Sequence, residues 1–264
     1  MEKIYIIKVG GAVVEDELQL AQLLRDFSAL EGRKVLVHGG GRRATKVAAS
    51  LGIESQMVGG RRITDREMLE VVTMVYGGLV NKNIVARLQA CGVNAIGLTG
   101  ADMDVIRSHK RPLKKVRMDD GTMREVDFGF VGDVDKVDAS MLATLIEKGV
   151  TPVVAPLTHD GEGHILNTNA DTMASETAKA LAALYDVTLI YAFEKKGVLS
   201  NPDDEDSVIP VITRPDFDRL VADGTIAGGM IPKIENALAA VEAGVRSVVI
   251  TRADNLQGGT TVKE

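Results

Sequence analysis

Three glycine-rich turns stand out because each lies where an apolar run ends or a helix begins. They are Lys8-Val9-Gly10-Gly11, His38-Gly39-Gly40-Gly41 and Gly228-Gly229-Met230-Ile231-Pro232-Lys233. Glycine lets an anion approach the main chain closely, and the free N–H groups at a helix start attract negative charge. One such turn alone is usually only a tight turn. Three of them, two of which carry a lysine, indicate a phosphate-binding site.

Two known phosphate-binding motifs, the Walker A loop and the Rossmann turn, can be compared with these turns. A Walker A loop requires Gly-Lys followed by Ser or Thr, and the dipeptide Gly-Lys does not occur in this chain. Gly39, Gly41 and Ala44 have the spacing of a Rossmann turn, so a nicotinamide-dependent oxidoreductase is an alternative. That fold needs an acidic residue about 20 residues further on, where this chain reads Met-Val-Gly-Gly-Arg-Arg at 57–62. The oxidoreductase therefore lacks its ribose anchor.

Lys8 and Lys233 suit phosphoryl transfer, which depends on positive charge beside the moving phosphoryl oxygens. Lys8 interrupts an apolar strand, where an unpaired ammonium group is costly, so we expect it to face an anion. Lys233 lies in the first turn of a predicted helix, where the dipole disfavours a cation; an ordinary surface lysine is the alternative. Asp171 also begins a helix, either as a simple first-turn carboxylate or as the group that orients both lysines.

An acidic substrate is indicated by Arg61-Arg62, which precede a long predicted helix. An arginine there can bind a carboxylate through two hydrogen bonds, and we interpret Arg62 in this way and Arg61 as a surface residue. The sequence offers no obvious general base, which an alcohol acceptor usually requires. A carboxylate acceptor is already ionised at neutral pH, so this favours formation of an acyl phosphate.

The amino-acid composition limits the classes of molecule that the protein is expected to bind. The 264 residues carry a formal net charge of −6 and no basic run, which argues against nucleic acid and for small-molecule ligands. Cys91 is the single cysteine, which excludes an intramolecular disulfide and a multi-cysteine zinc site. The first residues show neither a membrane span nor a signal peptide, so we expect a cytoplasmic protein.

Short apolar runs alternate with helical patterns along the chain. The predicted strands are Ile4–Val9, Lys34–Val37, Asn94–Leu98, Thr151–Ala155, Val187–Ala192 and Ser247–Thr251. The predicted helices are Glu17–Leu30, Ala44–Leu51, Asp65–Cys91, Ala139–Lys148, Ala170–Tyr185 and Ile234–Ala243. Hairpins are predicted at Val116–Val126, around Asp119-Asp120-Gly121, and at His159–Leu166. This alternation predicts an α/β fold with a mostly parallel sheet.

Seven motifs in a fixed order give the chain a resemblance to the amino acid kinase family, and within it to the members that phosphorylate N-acetylglutamate. They are IIKVGGAVV at 6–14, VHGGGRR at 37–43, GRRIT at 60–64, GGLVNKNIV at 77–85, FGFVGDV at 128–134, ILNTNAD at 165–171 and GGMIPKIENA at 228–237. The resemblance implies a three-layer sandwich in which an open, mostly parallel sheet of about eight strands lies between helix layers. Residues 1–264 would form one domain with two soft lobes, 1–168 for the acyl amino acid and dimerisation and 169–264 for the nucleotide.

The resemblance also implies roles for residues. Lys8 and Lys233 would stabilise the transition state and Asp171 would organise them, while Gly40, Gly41, Arg62 and Asn167 would bind the acceptor. Nucleotide contacts fall to Gly11, Glu194, Gly197, Thr225 and Gly229, and Mg²⁺ would arrive with ATP rather than in a protein metal site. Phe193-Glu194 stands where the family usually has Ser or Thr followed by Asp.

The implied reaction is ATP-dependent phosphorylation of the γ-carboxylate of N-acetyl-L-glutamate, or of another N-acylglutamate such as N-succinylglutamate, in arginine biosynthesis. A related phosphotransferase acting on carbamate or an aminoadipate carrier conjugate, or a non-catalytic ligand sensor, is the alternative. Arginine-inhibited members carry an extra amino-terminal helix, whereas this chain begins almost directly with its first strand. We therefore expect a homodimer, paired largely through Tyr76–Val85, without arginine feedback.

Overall fold

The computed structural model describes residues 1–118 and 121–264. They form three layers, in which a central sheet lies between two layers of helices. The strands of the described residues, in chain order, are β1 (Lys3–Val9), β2 (Arg33–His38), β3 (Met57–Val58), β4 (Arg61–Arg62), β5 (Ala95–Leu98), β6 (Ile106–Lys110), β7 (Lys114–Arg117), β8 (Met123–Val126), β9 (Gly132–Val137), β10 (Thr151–Val154), β11 (Leu157–His159), β12 (Ile165–Asn167), β13 (Asp186–Phe193), β14 (Val211–Ile212), β15 (Ser247–Arg252) and β16 (Thr260–Val262).

The central sheet has eight strands in the order β14-β16-β15-β13-β1-β2-β10-β5. The run from β15 to β5 is parallel, and β16 is antiparallel to its neighbour β15. Each of the six predicted strands corresponds to a strand of this sheet. The predicted α/β class and the number of strands are therefore confirmed. The edge strand β14 and its neighbour β16 had not been predicted, because two or three residues are too short to show a pattern.

The helices cover both faces of the sheet. They are α1 (Gly11–Glu15), α2 (Glu17–Ala29), α3 (Gly41–Ser50), α4 (Arg66–Val72), a π-helix (Thr73–Val80), α5 (Asn81–Ala90), a 3₁₀ turn (Asp102–Asp104), α6 (Ala139–Glu147), α7 (Ala170–Leu181), α8 (Arg214–Ala222) and α9 (Met230–Glu242). The predicted helix Asp65–Cys91 is thus found as one continuous rod, of which the middle part is a π-helix. Asp65 caps its start by accepting a hydrogen bond from the Met68 N–H at 2.8 Å.

The hydrophobic core is split by the sheet into two clusters. Along β1, Ile4 and Ile6 pack with side chains of α6, α7 and α9, whereas Ile7 and Val9 pack with those of α2, α3 and the long helical rod. Side chains of a strand alternate between the two faces, so Lys8 lies on the face of Ile4 and Ile6. Its position at the carboxyl end of a central strand, between β13 and β2, is where open α/β sheets bind ligands.

A smaller four-stranded sheet, in the order β12-β11-β6-β9, packs beside the central one. The predicted hairpin His159–Leu166 is confirmed by the antiparallel pair β11 and β12. The antiparallel pair β7 and β8 confirms the strands of the other predicted hairpin, whereas Asp119 and Asp120 of its turn lie outside the described residues. No helix in the described part of the chain has the length and apolar character needed to cross a bilayer.

Candidate active site

The first two glycine turns meet because β1 and β2 are parallel neighbours that end at the same edge. A Cβ atom at Gly39 would lie 3.1 Å from the Gly11 nitrogen, and one at Gly11 would lie 3.7 Å from the nitrogens of Gly40 and Gly41. Gly40 also packs so closely on the Tyr76 ring that a Cβ atom there would lie 2.8 Å from Cδ1. Backbone N–H groups of Gly11, Gly40 and Gly41 are therefore gathered in one place, as a phosphate site requires.

Lys8 faces an anion, as the sequence predicts. Its Nζ atom lies 2.8 Å from Oδ1 of Asp171, and only 8% of the lysine side chain is exposed. Asn169 caps α7 by accepting a hydrogen bond from the Thr172 N–H, which places Asp171 in the first turn of that helix. The contact is an ion pair without the alignment of a hydrogen bond. Oδ1 of Asp171 therefore has no hydrogen-bond donor among the described residues.

Lys233 approaches the same place from the first turn of α9, but without a carboxylate partner among the described residues. Its Nζ atom lies 4.5 Å from the ring centre of Phe193, and that of Lys8 lies 4.8 Å from the same centre. Asp171 contacts Lys8 in this structure, whereas the aromatic ring is the group that Lys8 and Lys233 share. This role of Phe193 was not predicted, since the sequence shows only that an aromatic residue replaces the family's usual Ser or Thr.

A cavity of about 200 Å³ opens beside the glycine turns. All four predicted acceptor-binding residues, Gly40, Gly41, Arg62 and Asn167, line it. The lining also includes Gly39, Met57, Gly60, Arg61, Tyr76, Arg111, Val131, Pro156, Thr168, Asn169 and Ala170. The side chain of Asn167 donates a hydrogen bond to Oγ1 of Thr64 at 2.9 Å, and among the described residues its amide oxygen has no donor.

Arg62 ties this cavity to the glycine turn. It donates hydrogen bonds to the Gly41 carbonyl oxygen at 2.9 Å, to Thr45 Oγ1 at 2.8 Å and to Ser55 Oγ at 2.8 Å. Burial raises the pKa of the neighbouring Tyr76 hydroxyl, and the Arg62 charge opposes part of that increase. Arg62 thus holds a fixed position at the cavity wall, and a bidentate contact with a carboxylate would replace at least one of these hydrogen bonds.

Two further arginines line the same cavity and had not been predicted to do so. Arg111 is buried and binds Asp133 through two nitrogens, with Nη2 2.5 Å from Oδ1, and these hydrogen bonds lower the pKa of Asp133. Arg61, interpreted as a surface residue, is exposed but faces the cavity; partial desolvation and the nearby Arg111 lower its pKa. Nothing in the sequence links Arg111 with Arg62, since the two are far apart in the chain and joined only by the fold.

A second cavity, of about 300 Å³, lies between the segment after β13 and the start of α9. Its lining includes Gly197 and Thr225, two of the predicted nucleotide-binding residues, together with mainly apolar side chains. Gly197 is also required by packing, because a Cβ atom there would lie 2.8 Å from Oγ1 of Thr260. Gly229 caps α9, and Glu194 forms an exposed ion pair with Arg42 at 3.5 Å. These last two residues lie near this cavity in sequence but do not line it.

A buried network of hydrogen bonds, formed by His38 and Asn81, contacts the second glycine turn at Gly39. His38 donates from Nδ1 to the Gly39 carbonyl oxygen at 2.8 Å, and its Nε2 accepts from the side-chain amide of Asn81 at 3.1 Å. Asn81 donates also to the Val153 carbonyl oxygen and accepts from Lys82. The hydrogen bond that Nε2 accepts from Asn81 needs the neutral ring, and burial lowers the pKa of His38 to about 4.

A dedicated metal site was not predicted. Within the described ranges, Asp160, Glu162 and His164 place potential ligand atoms within 4.8 Å of one another. Glu162 and His164 are exposed, and His164 pairs with Asp160 at 2.6 Å. The cluster lies at the tip of the β11–β12 hairpin and belongs to neither cavity.

Comparisons with known proteins agree with this geometry. The model of the amino acid kinase family matches residues 3–252. A Bacteroides thetaiotaomicron protein named acetylglutamate kinase is 68% identical over 100% of this chain and 99% of its own length; one from Bacteroides fragilis is 64% identical over 100% and 98%. The crystal structure of smu.665 from Streptococcus mutans UA159 is 31% identical, with a TM-score of 0.76 over 98% of both chains. The resemblance predicted from the seven motifs is thereby confirmed, and the chain belongs to the amino acid kinase family.

Proposed function

We propose that the protein transfers the γ-phosphoryl group of ATP to the γ-carboxylate of an N-acylated glutamate, with N-acetyl-L-glutamate as the first candidate. The reaction would be the acyl-phosphate-forming step of arginine biosynthesis. The names of the relatives with 68% and 64% identity support both the reaction and the pathway.

One observation carries the proposal: two lysines meet at one ring between two cavities. Ala170, which lines the acceptor cavity, is followed by Asp171, the partner of Lys8. Met230, which lines the second cavity, lies one helical turn before Lys233. Lys8 and Lys233 contact the same Phe193 ring, so positive charge is concentrated where a donor and an acceptor from the two cavities would meet.

The chemistry follows from these groups. The acceptor carboxylate is ionised at neutral pH and would attack the γ-phosphorus directly, so no general base is required. As the new oxygen–phosphorus bond forms, the bond from the γ-phosphorus to the β,γ-bridging oxygen would break and ADP would leave. The ammonium groups of Lys8 and Lys233 and the N–H groups of Gly11, Gly40 and Gly41 would bind the equatorial phosphoryl oxygens. Asp171 would hold the ammonium group of Lys8 in place through their ion pair. Arg62 would bind the α-carboxylate, and the free amide oxygen of Asn167 would accept from the acyl N–H group.

The nucleotide would occupy the second cavity, and Gly197 and Thr225 of its lining would contact the base and ribose. The described lining of that cavity contains no carboxylate, and Asp171 is already engaged by Lys8. Mg²⁺ would arrive with ATP, held chiefly by the substrate phosphates and its own waters. When bound, Mg²⁺ neutralises charge on the β- and γ-phosphate oxygens. The predicted lobes, 1–168 and 169–264, would then meet at the phosphoryl group.

N-succinyl-L-glutamate is a second candidate, favoured by the charge of the acceptor cavity. Arg61, Arg62 and Arg111 line it, and among the described residues only Arg111 has a carboxylate partner, Asp133. An N-acetylated glutamate brings one carboxylate to this wall besides the reacting one. An acyl group that ends in a carboxylate would bring a second, which Arg61 could bind.

We propose a homodimer that pairs through the surface of Tyr76–Val85. Leu79 is 47% exposed there, and Met74 of the same rod is 55% exposed, which gives this surface an apolar character. The cytoplasm, where ATP and amino acids are available together, is the proposed location.

The proposal is tested by ATP-dependent formation of a hydroxamate from hydroxylamine, with N-acetylglutamate, N-succinylglutamate, free glutamate and aminoadipate as acceptors. We expect turnover of one acylglutamate and its loss in Lys8→Ala. Turnover of none of the four would refute the proposal and favour a carrier-linked substrate or a ligand sensor.

A further inference from the structure

Phe193 is fixed at the carboxyl end of β13 by its neighbours. Its ring stacks on that of Tyr191, with centres 5.8 Å apart and planes inclined by 11°. A Cβ atom at Gly10 would lie 3.8 Å from Cδ1 of Phe193, so the ring also rests against the first glycine turn. The register of β1 and β13 pairs Lys8 with Tyr191, which places Lys8, Tyr191 and Phe193 on one face of the sheet.

The ring compensates for the charge of Lys233, which pairs with no carboxylate among the described residues. Because both nitrogens lie over one ring, the ammonium groups of Lys8 and Lys233 are at most about 9 Å apart and repel each other. Asp171 offsets the charge of Lys8, whereas Lys233 has no ion pair among the described residues and lies at a helix start that disfavours cations. The negative face of an aromatic ring attracts both cations at the observed distances of 4.8 and 4.5 Å.

An uncharged partner for Lys233 suits its position between the two cavities. A second carboxylate beside Lys233 would hold the lysine firmly, but it would also repel the phosphoryl oxygens that approach between the two cavities. A ring attracts the ammonium groups without bringing negative charge of its own. It can therefore keep the lysines in position and release them to the phosphate.

We propose that Phe193 is a positioning residue for phosphoryl transfer, whose aromatic face holds the ammonium groups of Lys8 and Lys233 beside the path of the γ-phosphoryl group. The inference rests on the proposed function, since it assigns the ring a role in that same reaction. It predicts that the electron density of the ring, and not only its volume, sets the rate.

The first experiment replaces the side chain. Phe193→Leu keeps an apolar side chain but removes the ring, and we expect kcat to decrease about tenfold, or about 1.4 kcal/mol in the barrier. KM for the acylglutamate should stay within about twofold, because the acceptor cavity is untouched. Phe193→Tyr retains the aromatic face and should restore most of the rate. Equal kcat values for Phe193→Leu and the unchanged protein would overturn the inference.

The second experiment separates electrostatics from packing. Mono-, di- and trifluorinated phenylalanine at position 193 progressively weaken the negative face while changing the volume little. We expect the logarithm of kcat to decrease in steps with the number of fluorine atoms. The same series at Phe217, a buried core residue of α8 without a lysine contact in the described structure, is the matched control and should leave kcat unchanged. A flat series at position 193 would overturn the inference.

A third measurement detects the contact of Lys8 and Lys233 with the Phe193 ring without any catalytic turnover. Its result is therefore independent of the proposed function. In NMR spectra of the ligand-free protein, the ε-methylene protons of Lys8 and Lys233 should be shifted upfield by the Phe193 ring and should return towards ordinary values in Phe193→Leu. If the shifts are present but no acceptor is phosphorylated, the proposed function fails while the contact stands. If the enzyme is active and the shifts are absent, the inference about Phe193 fails.

Discussion

Protonation of His38 should make the protein less stable as the pH falls from 7 to 5. The ring is fully buried, and its Nε2 atom can accept the hydrogen bond from Asn81 only in the neutral form, whereas the bond that Nδ1 donates to Gly39 is available to both forms. Its pKa is about 4 in the folded protein, against 6.5 as the ordinary value. Because the folded pKa is the lower one, the unfolded chain binds the proton first. The stabilisation is therefore complete above pH 6.5 and is lost as the pH falls towards 4.

The magnitude follows from these two values. Between pH 7 and pH 5 the unfolded chain takes up about 0.7 proton at His38 while the folded protein takes up little, so the free energy of unfolding should decrease by about 1.8 kcal/mol. Lowered carboxylate pKa values, such as those of Asp133 and Asp160, affect stability at lower pH, because the ordinary pKa of aspartate is 3.8. Between pH 7 and pH 5, the effect of His38 on stability is thus separated from that of these carboxylates.

Urea denaturation at pH 7 and pH 5 measures this change, with His38→Asn as the matched variant. The asparagine amide can still donate to the Gly39 carbonyl oxygen, but it does not titrate in this range. The variant should be less stable at both pH values, because a smaller side chain leaves a cavity, yet its pH dependence should be smaller by about 1.8 kcal/mol. If both proteins lose the same free energy between pH 7 and pH 5, the assignment to His38 is wrong.

Three other substitutions test the geometry. Arg62→Lys should raise KM for the acylglutamate about tenfold with a smaller effect on kcat, because lysine cannot bind a carboxylate through two parallel hydrogen bonds; an unchanged KM in steady-state kinetics would exclude Arg62 as a carboxylate ligand. Gly97→Ala places a Cβ atom 1.8 Å from a buried side-chain oxygen and should cost at least about 2 kcal/mol in urea denaturation. Leu79→Asp should convert the dimer to monomers in light scattering, whereas Leu51→Asp, 57% exposed on another surface, should not; a dimeric Leu79→Asp protein would place the interface elsewhere.

The central sheet was predictable because its strands are buried on both faces. A strand such as β1 or β13 reads as a continuous apolar run that ends in a turn, and the order of such runs with helices defines the class. Lys8 was predicted to meet an anion from the same logic, since a lysine within an apolar run must find a partner. The pairing with Asp171 confirms that expectation.

The remaining parts of the site arise from long-range packing that leaves no local pattern. Arg111 reaches the acceptor cavity only because β6 and β9 are antiparallel neighbours that bring it to Asp133. Tyr76 occurs in an apolar helical stretch, where its contact with Gly40 has no signature in spacing. The shared contact of Phe193 with two lysines likewise depends on how α9 packs on the sheet. Contacts of this kind require the three-dimensional arrangement.

The position of β1 in the middle of the sheet has a consequence for biosynthesis. The strand precedes the other strands of the sheet in the chain, but one of its two neighbours, β13, whose Asp186 pairs with Lys3, is made much later. At translation rates of roughly 5–20 residues per second, β1 waits on the order of ten seconds or more for that partner. The sheet centre, and Lys8 with it, can be completed only after most of the chain has been synthesised. Nascent chains stalled before residue 186 should therefore expose an unpaired, apolar strand edge and depend on chaperones.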